Sequence, residues 1–112
     1  MARSRTQIPR PADRASELAS DFVSRVRGMA FVRKVLFQET PPGPVIWTVI
    51  DAEPWTPGPS DAIFEAELQS RLTFPGSLVH FDLINLREHG TTDPNHLLPS
   101  RARVIFERSS AG

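Results

Sequence analysis

In the stretch SLVHFDLINLREHG, residues 77–90, a histidine and an aspartate stand two residues apart in apolar surroundings. The run reads as a β-strand, whose side chains alternate between faces. Val79, Phe81 and Leu83 then share one face, and His80, Asp82, Ile84 and Leu86 the other. An imidazole and a carboxylate pointing the same way suit a divalent metal. A third ligand must come from elsewhere. Asp51, at the end of an earlier strand, is the first candidate, and His89 and His96 lie in loops that can approach. Two other readings stay open. Asp82 is a carboxylate kept from an older active-site face, or both residues are structural, with the imidazole hydrogen-bonding its neighbour on a half-exposed sheet. No metal-ligand spacing signature selects between the three.

Other chemistry has less to stand on. There is no cysteine, which excludes disulfides, thiolate nucleophiles and cysteine-held zinc or iron–sulfur clusters. No G-x-S-x-G elbow precedes a helix. Ser77 follows a glycine but opens a strand, which is turn chemistry. Neither G-x-x-x-x-G-K-[ST] nor G-x-G-x-x-G occurs. Lys34, the only lysine, falls inside a strand. Trp55 is different: it sits in EPWTPGPSD, a loop stiffened by three prolines. A rigid loop presenting a large aromatic is a common partner anchor, unless the indole folds back over the sheet edge. Trp47, within a strand, reads as core.

The elements that must position these residues follow from periodicity. In residues 13–30, Leu18, Phe22 and Val26 recur at spacing four, widened by Ala19, Val23 and Met29, with Asp13 as N-cap. Asp21 and Arg25 form an i,i+4 pair on its wet side. FVRKVLFQE and VIWTVIDAE read as strands joined by the turn TPPGP, hence an antiparallel hairpin. The second is nearly continuous apolar, as a central strand covered on both faces would be. Ser60 is the expected N-cap of a second helix, DAIFEAELQSRL. Phe64, Leu68 and Leu72 form its expected inward stripe beside Ile63, and Glu67 and Arg71 pair along its exposed side. The strand of the opening comes next. Asp93–Pro94 predicts a short helical turn, and ARVIFER a last strand.

This order predicts an α+β fold: helix, strand, strand, helix, strand, strand, with two helices on one face of a mixed four-stranded sheet. The helix between strands two and three makes those strands parallel. Residues 1–12 read as a disordered basic arm carrying Arg3, Arg5 and Arg10, residues 13–108 as one domain, and residues 109–112 as a disordered tail. A chain of 112 residues fits one domain. Net charge is formally zero, so no global field recruits nucleic acid. Contact with nucleic acid through the arm is not favoured. No apolar run is long enough for a membrane span, and no secretory signal is present, so a cytoplasmic chain is expected. Twelve arginines against one lysine, with eleven prolines, suit a GC-rich bacterial genome.

The layout resembles that of the minimal nucleotidyltransferases of the polymerase-beta-like superfamily. VRKVLFQE looks like the family's first strand, VIWTVIDAE the second, LVHFDLINLRE the third and LLPSRARVIFER the closing segment. The resemblance covers about residues 15–108. It implies a nucleotidyltransferase-like fold, Mg²⁺ as cofactor where the carboxylates are present, and action beside a partner protein, as in toxin–antitoxin pairs. The family places Gly-Ser at the end of the first strand and Asp-x-Asp at the start of the second. This chain has Gly43–Pro44 at the one, and Val45, Ile46 and Trp47 at the other. Only Asp82 matches, at the third carboxylate. One carboxylate cannot organise a two-metal site. The expectation is therefore a non-catalytic binding or adaptor protein without cofactor, acting through a protein partner or a second copy, with Trp55 as contact. The alternative is a Mg²⁺-dependent nucleotidyl- or phosphoryl-transfer enzyme using Asp82, Asp51 and His80. The two helices are expected to turn charged faces outward.

Overall fold

The computed structural model describes residues 11–90 and 97–108. Arg3, Arg5, Arg10, the turn expected from Asp93–Pro94, His96 and the tail 109–112 lie outside the described residues. The architecture is α+β. Helix α1 spans Pro11–Val26, strand β1 Val32–Thr40, strand β2 Gly43–Ile50, helix α2 Pro57–Thr73, strand β3 His80–Asn85 and strand β4 Arg103–Glu107. A 3₁₀ turn, Leu86–His89, follows β3.

The sheet order is β3-β2-β1-β4. β1 runs antiparallel to β2 and to β4, and β2 runs parallel to β3. The parallel pair follows from chain geometry, since α2 must carry the chain back across the sheet before β3 can start. The hairpin turn is tighter than TPPGP suggests. Only Pro41 and Pro42 lie between the strands, and Gly43 and Pro44 already pair with Thr40 and Glu39. Gly43 has φ +146°, and a Cβ there would meet the Leu78 carbonyl oxygen at 3.3 Å. A side chain there would be strained by the positive φ and would need the β3 approach to give by a few tenths of an ångström.

Each sheet face buries its own core. On one face Leu18, Phe22 and Val26 of α1 and Ile63 of α2 pack on Val35, Phe37, Ile46 and Ile50. The Phe22 and Phe81 rings meet at 5.0 Å. Full burial of each such side chain contributes roughly 1.5–3 kcal/mol. On the other face Leu36, Val49 and Leu86 are covered by Trp47, Leu97, Leu98 and Ala102. β2 is thus the central, doubly covered strand that its apolar run predicts. Trp47 is only half-buried, and its indole N–H donates to Gln38 Oε1 at 3.1 Å. The last strand is fastened by Arg108. Its guanidinium donates to the carbonyls of Val32, Arg27 and Met29 at 2.8, 2.6 and 2.9 Å.

Four expectations need correction. α1 is already helical at Pro11, so Asp13 lies within the helix rather than at its N-cap, and proline suits a first turn, where its missing N–H is no loss. For the same reason α2 starts at Pro57, with Thr56 rather than Ser60 at the N-cap position. β3 ends at Asn85, whose side chain accepts from the Arg87 N–H and caps the 3₁₀ turn. The largest correction is the rotation of α2. Ile63, Ala66 and Ser70 are its buried residues, whereas Phe64, Leu68 and Leu72 are 52%, 49% and 64% exposed.

The rotation has a steric and a polar cause. Small Ala66 and Ser70 let α2 lie close against α1. Ser70 is fully buried and its hydroxyl donates to Asp21 Oδ2 at 2.8 Å. The same oxygen accepts from Arg25 Nε at 2.7 Å, and Arg25 Nη2 donates to Thr73 Oγ1 at 3.1 Å. The expected i,i+4 pair therefore forms, but as a clamp between the helices. Turning Phe64, Leu68 and Leu72 inward would force the helices apart and break it.

Candidate functional site

The parallel register fixes how far apart the candidate ligands lie. Asp82 stands opposite Trp47, and Ile50 opposite Asn85. Asp51 follows Ile50, four residues beyond Trp47, so it sits roughly 13 Å further along the sheet than Asp82. His80 and Asp82 do come together on the face away from the helices, with Nε2 and Oδ1 3.5 Å apart, both well exposed. His89 lies in the 3₁₀ turn at the opposite end of β3 from His80. Among the described residues no three His, Cys, Asp or Glu side chains gather in a geometry that holds a metal. The residues expected to hold Mg²⁺ do not fit it, and no catalytic step follows from them.

Asp51 is instead committed to Arg87. The guanidinium donates from Nε to Asp51 Oδ1 and from Nη1 to Glu53 Oε1, both at 2.7 Å. The hydrogen bond to Asp51, and then the charge of Asp51, hold the Arg87 pKa above its ordinary value. Beneath this pair lies Asn85. Its Oδ1 accepts from the Ala52 N–H at 3.2 Å, and its Nδ2 donates to the Ala52 carbonyl at 2.8 Å. Together they brace the carboxyl ends of β2 and β3, where open parallel sheets offer ligand crevices. The Arg87 bridge occupies both carboxylates there. Its sequence signal is Asn-x-Arg at the end of an apolar strand, which is too general to be read in advance.

Two apolar features face outward. Trp55 is 84% exposed, so its indole does not fold back over the sheet. It stands two residues before α2. The second feature is α2 itself. At 3.6 residues per turn, Phe64 and Leu72 fall about 40° to either side of Leu68, on the side away from Ile63, Ala66 and Ser70. The outer face of α2, expected to be charged, therefore carries an apolar stripe alongside exposed Asp61, Glu65 and Arg71. Glu67 and Arg71 are not a simple exposed pair either. Glu67 is half-buried, and burial pushes its carboxyl up to about 6 against the opposing pull of Arg71. The Arg71 guanidinium lies over the Phe81 ring, 4.8 Å from its centre.

Comparison of the chain with protein-family models, curated proteins and solved structures finds no match. No helix among the described residues is long and apolar enough to cross a membrane.

Proposed function

We propose that this chain is a non-catalytic binding or adaptor protein on a nucleotidyltransferase-like scaffold, and that it works by association with another protein. The observation that carries the reading is the apolar stripe Phe64, Leu68 and Leu72 on the outer side of α2. Monomeric soluble proteins seldom leave a contiguous apolar patch open without a use for it. Trp55, two residues before the same helix, supplies a large aromatic of the kind that dominates association energies. The scaffold part of the proposal is supported by the element order and by the parallel β2–β3 pair with its helical crossover. The non-catalytic part is supported by the separation of Asp51 from Asp82 and by the commitment of Asp51 to Arg87.

Two measurements test it. Thermal unfolding in EDTA and in Mg²⁺ with a nucleoside triphosphate is expected to give the same midpoint for the parent and for Asp82→Asn. A ligand of the folded state at 100 times its Kd adds about 2.7 kcal/mol. A rise of several degrees in the parent, absent from Asp82→Asn, overturns the non-catalytic half and restores the transferase alternative. For association, the parent is expected to self-associate or to retain a protein at micromolar concentration. Trp55→Ala is expected to weaken that binding by about 2 kcal/mol and to cost the isolated domain less. A parent that neither self-associates nor retains a protein overturns the association half.

A further inference from the structure

We infer that the partner of α2 is α2 of a second copy, packed antiparallel across a two-fold axis that passes beside Leu68. This rests on the association reading and names the surface and the occupant.

A two-fold interface must be complementary to itself, and the outer side of α2 meets that demand. Its apolar residues are centred on Leu68, with Phe64 one turn before and Leu72 one turn after. Antiparallel pairing about Leu68 sets Leu68 against Leu68 and Phe64 of each copy against Leu72 of the other. The charges agree with this register. Glu67 and Arg71 are one turn apart on one flank of the stripe. Reversing the second helix brings Arg71 of each copy within about 3 Å, along the helix axis, of the other copy's Glu67. Glu67 is half-buried and has no ion pair within hydrogen-bond range among the described residues. Within its own copy Glu67 feels the charges of Arg71, Asp82 and His80 without a direct ion pair, and in this register the second copy's guanidinium brings a further opposite charge to it. The opposite flank carries Glu65, hydrogen-bonded by the neutral Gln69 Nε2 at 2.8 Å, and in this register the two copies' Glu65 stay roughly 9 Å apart along the helix axis. α1 offers no comparable surface, since its outer side shows Ser16, Glu17, Ser20 and Ser24.

The absence of cysteine from the chain gives a direct test of register. Two cysteines can be bridged only when their Cα atoms lie about 4.4–6.8 Å apart. Under mild oxidation Leu68→Cys is expected to give a covalent dimer. Phe64→Cys and Leu72→Cys are each expected to remain uncrosslinked alone and to cross-link when mixed. Sedimentation equilibrium of the parent is expected to show a reversible dimer in the micromolar range, and Leu68→Glu a monomer with an unchanged far-UV circular dichroism spectrum. Glu67→Arg and Arg71→Glu are each expected to weaken the dimer about tenfold or more, and the double exchange to restore it. A parent that stays monomeric at millimolar concentration overturns the inference, as does a dimer that survives Leu68→Glu. Cross-linking of Phe64→Cys alone overturns the register. The failures are separable. A monomeric parent that retains a different protein, lost in Phe64→Glu, defeats the self-pairing and leaves the association reading standing. A dimer that gains stability from Mg²⁺ and nucleotide defeats the non-catalytic reading and leaves the self-pairing standing.

Discussion

The two helices lie side by side on one sheet face, yet they solve different problems. α1 has one apolar side, which it buries completely through Leu18, Phe22 and Val26, and one polar side left to water. α2 is apolar on both sides. Ile63 and Ala66 go into the core, while Phe64, Leu68 and Leu72 stay outside. α1 finishes its burial within the domain, whereas α2 leaves Phe64, Leu68 and Leu72 open to solvent, and under the proposal above a second chain covers them.

Four experiments sharpen or break this contrast. Phe22→Ala strikes the finished side. Phe22 is fully buried and packs on Phe81, so the change is expected to cost about 3–5 kcal/mol in urea unfolding. Ser70→Ala removes the hydroxyl that joins the helices and is expected to cost about 1 kcal/mol. If it proves neutral, the clamp does not set the rotation of α2. Glu67→Gln tests the flank of the unfinished side. Glu67 titrates near 6 in the folded chain against 4.5 for an unperturbed carboxyl. The folded state therefore holds its proton more tightly, and the charged form destabilises it as pH rises from 4.5 through 6. The glutamine variant is expected to melt a few degrees above the parent at pH 7.5, with the gain gone at pH 4. After allowance for half-exposure this corresponds to about 1 kcal/mol. The smallest effect belongs to Leu68→Gln. At concentrations where the chain is monomeric, its unfolding free energy is expected to stay within about 0.5 kcal/mol of the parent. A loss of 2 kcal/mol or more would mean that Leu68 is a core residue after all.

The sequence carried the layout well, because the layout rests on strong periodic signals. Leu18, Phe22 and Val26 form a stripe with no rival on α1. The apolar run of β2 marks it as central, and a helix between two strands leaves little choice but a parallel pair. The alternation of β3 was legible as well: Phe81 and Leu83 face the helices, while His80 and Asp82 share the other side. The rotation of α2 was not legible, because two apolar stripes compete on it. Residue size favours Phe64, Leu68 and Leu72. What decides is how close α1 lies, and that depends on Asp21 reaching Ser70 across 49 positions of sequence. Arg87 was missed for the same reason, since both of its carboxylates lie more than 30 residues upstream.

The strand order has a consequence for how the chain is made. β1 sits between β2 and β4, but its two neighbours emerge at very different times. β2 follows after two residues, whereas β4 must wait until residues 41–102 have been synthesised. Throughout that interval one edge of β1, with Val35, Leu36 and Phe37 along it, is an open template for any passing strand. The nascent chain is thus most exposed to mispairing while its three other strands are emerging, and that exposure ends when β4 docks and Arg108 closes over the carbonyls of Arg27, Met29 and Val32.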